Sequence, residues 1–237
     1  MKNTGYFLFF TLIFSSFQSI HGQSRSVVGL FPTLDHSGPI SPKLDYSFYL
    51  FGAHPLMNIV PKFEWNNQIL LFYTEQAIHY HWTPLIAFSG AYVFQKERIN
   101  REVMSNENRI HFQATVKYQK NRFEIKNRIR WDHRWIGDPN SDQIFYSHRF
   151  RFLTGIKRPL KIASKTGYLS FSEEFFLNSS KNSSALFGEN WMNTALGMEI
   201  NEFNKIESGP LYITWKTADR SWLHQYYFQL TWVSRIK

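Results

Sequence analysis

Between Arg109 and Trp135 the chain alternates polar and apolar residues almost without a break. Ile110, Phe112, Ala114, Val116 and Tyr118 hold one parity, and Arg109, His111, Gln113, Thr115, Lys117 and Gln119 hold the other. After a short turn at Asn121 the pattern resumes. Phe123, Ile125, Ile129, Trp131 and Trp135 then alternate with Glu124, Lys126, Arg128, Arg130, Asp132 and Arg134. A period of two places the sets on opposite faces of a β-sheet. The second face is heavily charged, which sets up a choice. A soluble sandwich turns its charged face to water and its apolar face to a core. A membrane barrel turns the apolar face to lipid and the charged face to its lumen.

Strand candidates follow one another along the rest of the chain: Ser26–Leu34, Lys43–Gly52, Gln68–Trp82, Leu85–Lys96, Asn108–Gln119, Arg122–Trp135, Gln143–Ile156, Thr166–Asn178, Asn190–Ile200, Lys205–Lys216 and Leu223–Val233. Many exceed the usual soluble strand and approach the ~9–11 residues of a bilayer crossing. No amphipathic helix competes with them. Short links (Thr83-Pro84, Lys120-Asn121, Asn201–Asn204) alternate with longer polar ones (Glu97–Glu107, Gly137–Asp142, Ser179–Gly188). Outer-membrane barrels have this asymmetry, with short periplasmic turns and longer outer loops. That orientation makes Leu223–Val233 run inward, Lys43–Gly52 run outward and Ala53–Asn67 an outer loop. Eleven candidates conflict with the even strand numbers of bacterial barrels. The expectation is therefore ten strands, with Ser26–Leu34 not spanning, or twelve, with one missed; the topology favours ten.

The N-terminus reads as an address. Met1-Lys2 is basic, and Tyr6 to Phe17 is an apolar run too short for a membrane helix, followed by small and polar residues to Gly22. The expectation is a cleavable signal peptide at residues 1–22 and one barrel domain over 23–237. Aromatic residues make up 18% of the 237 residues, and this excess suits strands and lipid–water boundaries. Trp82, Trp135, Trp215 and Trp222 fall near strand ends, where an interfacial girdle belongs. The last strand presents Tyr226, Phe228, Leu230 and Trp232 on one face, as barrel-assembly machinery recognises. The absence of cysteine excludes a disulfide framework and thiolate metal sites. Net charge is +9, but the cations alternate with apolar residues instead of clustering, so no nucleic-acid partner is expected. Lys96, Arg98 and Arg101 are placed in a loop that meets lipopolysaccharide phosphates.

Three stretches occur in order: Asn127-Arg128-Ile129-Arg130-Trp131-Asp132-His133-Arg134, Ser147-His148-Arg149-Phe150-Arg151-Phe152, and Ser172-Glu173-Glu174-Phe175-Phe176-Leu177-Asn178. Together they resemble the bacterial outer-membrane barrel family labelled domain of unknown function 2490. Two departures stand out: Asp132 where that family usually has Glu, and Asn190-Trp191 where an Asn-Arg pair is common. The resemblance implies a barrel in the outer membrane of a Gram-negative bacterium, and no biochemical activity.

The candidate functional residues form a lumen-facing charged ladder: Arg109, Glu124, Arg128, Arg130, Asp132, Arg134, Arg149, Arg151 and Glu174. A ring of charges tunes which ions pass a pore, whereas interdigitated Arg–carboxylate pairs fill a narrow lumen as a plug. Opposite charges on adjacent strands favour the plug. Glu75, His79 and His81 share one parity and have ligand chemistry, but a lone His-x-His pair is a weak metal signal. A lipid-modifying hydrolase needs nucleophile, base and carboxylate together. Ser147, Ser170 and Ser172, His111 or His79, and Glu174 or Glu199 supply the residue types without any catalytic motif.

The sequence thus predicts an all-β protein, a closed antiparallel transmembrane barrel of about 10–12 strands after a cleavable signal peptide. It is a non-enzymatic, porin-like outer-membrane protein with no metal or cofactor. Its partners are outer-membrane lipid, lipopolysaccharide and, during insertion, the assembly machinery. The alternatives are the lipid-modifying hydrolase and a secreted soluble β-sandwich that binds a ligand. Arg in place of Phe112 or Ile129 is expected to be costly, and a change at Gln113 far less so.

Overall fold

The computed structural model describes residues 24–60, 64–65, 69–98, 103–138, 140–162, 165–179, 187–216 and 222–236. The expected signal peptide, residues 1–22, lies outside the described residues. Twelve strands run in chain order: β1 (Ser24–Ser41), β2 (Leu44–Val60), the two-residue β3 (Glu64–Trp65), β4 (Leu71–His81), β5 (Ile86–Arg98), β6 (Met104–Lys120), β7 (Phe123–Gly137), β8 (Ile144–Ile162), β9 (Lys165–Ser179), β10 (Phe187–Glu199), β11 (Asn204–Lys216) and β12 (Trp222–Arg235). Every candidate segment becomes a strand, usually longer than its alternation suggested. Lys96 and Arg98 belong to β5 instead of a loop, and Arg101 lies outside the described residues.

β3 touches only β2, and the other eleven strands form one closed sheet. Each neighbour along the chain is antiparallel, but β1 closes on β12 in parallel, in unbroken register from Ser24↔Trp222 to Ser37↔Arg235. Two expectations are corrected here. The strand count is neither ten nor twelve, since β1 is a full strand and the described residues hold no further long one. The barrel is also mixed, not wholly antiparallel. The second point follows from the first: with alternating directions, an odd number leaves first and last strands pointing the same way. Ser24 and Arg235 consequently stand at opposite mouths. Closure by either route leaves no edge of unpaired backbone groups.

The connections sort by mouth. At one lie the short turns, three of them shaped by their own residues. Asn121 turns β6 into β7 with φ of 59°, a left-handed conformation that Asn tolerates. The Thr83 hydroxyl accepts from the amides of Leu85 and Ile86, and the Asn201 side chain accepts from those of Phe203 and Asn204. At the other mouth the longer links leave β2, β5, β7, β9 and β11. In one of them the Asp138 carboxyl is held below its ordinary range by the Asn140 amide and the Ser141 hydroxyl.

Pleat alternation decides which side chains meet outside and which inside. Outward stand Phe112, Ile129, Phe150, Phe152, Leu196, Tyr226, Phe228, Leu230 and Trp232, all exposed. Inward stand the charged row and an apolar cluster of Phe31, Phe51, Tyr73, Val93, Leu211, Ile213 and Tyr227. The core of this protein is therefore its lumen. Trp135 and Tyr146 pair at the long-loop mouth, as do Phe187 and Trp222, and Trp82 is exposed at the short-turn mouth. Trp215 departs from the expected girdle, because it lines the lumen. Some polar pairs interrupt the apolar rule outside; Asn190, buried on the outward parity of β10, donates to Glu173 Oε1 at 3.2 Å.

Candidate functional site in the barrel lumen

All nine residues of the predicted ladder fall on the inward parity of β6, β7, β8 and β9, and most engage carboxylates or amides. Arg109 Nε donates to Glu107 and its Nη2 reaches Gln95 at 2.5 Å. Arg134 holds the same Glu107 by two contacts, 2.5 and 2.8 Å. Glu174 accepts from Arg128 at 2.6 Å and, in a two-pronged pair, from Arg151 at 2.8 and 3.0 Å. Arg149 donates to Asn178 at 2.8 Å and lies 3.5 Å from Glu189. Asp132 is fully buried, opposite His111 on β6 and 3.9 Å from Arg151. Glu124 stands nearer the short-turn mouth, opposite Gln119.

The longest reach is the most telling. Arg130 on β7 donates to Glu75 on β4 at 3.0 and 3.3 Å, across two intervening strands. Its Nε donates to Gln113 at 2.9 Å, and the Tyr73 hydroxyl donates to Glu75 at 2.5 Å. Gln113 was expected to tolerate change; it is instead a partner of a buried cation. Paired, hydrogen-bonded charges of this kind satisfy one another where water is excluded.

Beside the charges, aromatic rings cross the lumen. Phe31, Phe51 and Tyr73, from β1, β2 and β4, stack at 4.6 and 4.5 Å between centroids. Trp191 of β10 meets Phe31 and Phe51 edge-on at 5.9 and 6.1 Å, spanning β11 and β12. Phe176 joins Trp191 at 5.5 Å and carries the Arg151 guanidinium over its face at 4.4 Å. Most of these rings are closely packed, Phe31 and Phe176 being each 1% exposed, while Trp191 is partly buried. A free volume of about 770 Å³ beside them is lined by residues from both mouths.

The other candidates are dispersed. Glu75, His79 and His81 share the lumen face, but Glu75 is taken by Arg130 and His81 pairs with Asp45 at 3.0 Å. His79 lies between the Ser47 and Ser89 hydroxyls at 2.7 and 2.6 Å. Among the described residues no group of three such side chains is placed to hold a metal. Ser147 and Ser170 contact backbone carbonyls of Ser179 and Ala195, and Glu199 pairs with Lys205. Among the described residues no hydrogen bond joins Ser147, Ser170 or Ser172 to His79 or His111.

Sequence reasoning missed Glu107 and Glu189, which partner the ladder, and the ring cluster that packs beside it; it singled out Glu75 for ligand chemistry, not as the partner of Arg130. One signal was present: Phe48-Tyr49-Leu50-Phe51 is an unbroken apolar run, which marks a strand buried on both faces.

No curated protein and no solved structure matches the chain. The model of one family, described as protein of unknown function (DUF2490), matches residues 56–229, from within β2 to within β12. That span holds the whole charged ladder and most of the barrel wall. The chain belongs to this family.

Proposed function

We propose that the chain is an outer-membrane β-barrel with a structural, non-enzymatic role and a lumen plugged at mid-height. It reaches the membrane by a cleavable signal peptide and the barrel-assembly machinery, and it contacts lipid and lipopolysaccharide there. One observation carries the reading: large apolar side chains cover the outside while the charges point in. Phe112 is 57% exposed and Ile129 61%, on adjacent strands, whereas the inward Arg109 and Arg130 of the same two strands are each 3% exposed. In water such a surface is a liability, and in hydrocarbon it is what a barrel requires. The wall is closed, so no backbone edge meets lipid.

The plug rests on the rings and ion pairs that meet across the lumen. The test is conductance of the purified chain in planar bilayers. The expected result is no steady current for the wild type, and intermittent current for Trp191→Ala, which removes the ring joining β10 to β1 and β2. A steady open-pore current through the wild type contradicts the plug.

The lipid-modifying hydrolase is the less favoured reading. The contact between Ser47 and His79 is a hydroxyl–imidazole pair, but Ser89, not a carboxylate, holds the other ring nitrogen. The pair also faces the lumen, away from the surface that meets acyl chains.

A further inference from the structure

The inward cations are not all balanced. Arg109, Arg130, Arg134, Arg149 and Arg151 each have a carboxylate within 4 Å. Lys117 of β6 and Lys126 of β7 do not, among the described residues. The register sets these two directly opposite each other, and both line the free volume of the lumen on its short-turn side. Directly opposed like charges weaken a sheet, so nothing in folding alone favours the pair. Arg128 is next on the same face of β7; it spends Nη2 on Glu174, while its Nε is buried without a partner.

Among the described residues, carboxylates face this chamber without touching the two lysines. Asp45 is engaged by His81 and Arg235, and Glu207 accepts from the Tyr168 hydroxyl. Asp35, on β1, faces Lys126 and Lys117 across the lumen and attracts both, but comes within 4 Å of neither. The result is a concave wall with two lysines that no carboxylate contacts within 4 Å, among the described residues, and one partly free guanidinium. This combination takes an oxyanion of charge near −2, with Lys as point charges and Arg as a directional donor.

We infer that the short-turn half of the lumen is a binding site for the phosphate group of a small soluble molecule, held by Lys117, Lys126 and Arg128. The site lies inside the barrel wall, so it goes beyond the proposed membrane role and does not depend on it. A lipid headgroup is set aside as occupant, because the wall between the chamber and the outer face is unbroken.

The test uses the folded full chain in detergent micelles, with inorganic phosphate and glycerol 3-phosphate as probes and sodium chloride at matched ionic strength as reference. A ligand that binds only the folded state raises the unfolding midpoint. Both phosphate probes are expected to raise the midpoint saturably, beyond the chloride reference. Lys117→Gln/Lys126→Gln is expected to bind at least about tenfold more weakly, and Lys43→Gln, in the exposed β1–β2 turn, to bind as wild type. The double variant removes a repulsion and is expected to fold; Lys117→Gln alone, whose side chain is exposed, reports the same loss if it does not. No saturable rise in the wild type, or an equal rise in the double variant, overturns the assignment.

Discussion

Glu75→Ala is expected to destabilise the folded chain by about 3–5 kcal/mol, the largest effect of any single lumenal change. Glu75 receives two bonds from Arg130 and one from the Tyr73 hydroxyl. Removing it leaves a guanidinium only 3% exposed, with Gln113 its one remaining partner. A buried charge stripped of its hydrogen-bonded counterion is costly because water does not replace the lost contact. Two comparisons isolate that cause. Glu75→Met/Arg130→Met removes both charges and is expected to recover most of the loss, since a well-packed apolar pair of similar volume substitutes adequately for a buried ion pair. Glu199→Gln breaks a pair whose side chains are 36% and 39% exposed, and is expected to cost at most about 1 kcal/mol. Denaturant titration in detergent or vesicles reads all three. If Glu75→Ala unfolds no more easily than Glu199→Gln, the cross-lumen pair is not holding the barrel together.

Ile129→Arg carries the second large effect, and its size depends on the solvent outside the barrel. Ile129 is 61% exposed and its side chain leaves the wall between Ala114 on β6 and Phe152 on β8. In water an exposed substitution of this kind changes stability by about 0.5 kcal/mol or less. At the midplane of a bilayer, Arg on the outward face of a barrel costs about 2–4 kcal/mol. Folding into phospholipid vesicles, compared for Ile129→Arg and Ile129→Ala, separates these cases. A penalty near 3 kcal/mol for Arg over Ala supports a lipid-facing β7, and a penalty within error of zero counts against it.

Much of the wall was legible in the chain because each strand declares its own faces. The alternation from Arg109 to Trp135 needs no partner to be read, and β6 and β7 pair as it implies, with Phe112 opposite Trp131 and Gln113 opposite Arg130. Closure was a different kind of question. Whether β1 spans depends on an acceptor strand at the far end of the sequence, and a rule of even strand numbers outweighed eleven candidates that were all correct. The charged ladder was found for the same local reason as the strands. Its partners were not, because Glu75 meets Arg130 only through the curvature of a closed sheet and is 55 positions away. Trp215 shows the same limit: proximity to a strand end marks a Trp for the interface, but the pleat turns this one inward. The inward rings of Phe31, Phe51 and Tyr73 were hidden because β1 and β2 carry apolar residues on both parities, which leaves periodicity no contrast to report.

Beneath both predictions lies the claim that the apolar row of each strand touches hydrocarbon. The chain has no cysteine, so single cysteines carrying a nitroxide label can be placed at will. The most direct measurement is collision of such labels at Ile125, Lys126, Ile129 and Trp131, in vesicles, with oxygen and with a water-soluble nickel complex. The account predicts that labels at Ile125, Ile129 and Trp131 meet oxygen freely and the nickel complex hardly at all, with Lys126 reversed. Labels at Ile125, Ile129 and Trp131 as open to nickel as one at Lys43 in the β1–β2 turn would contradict it.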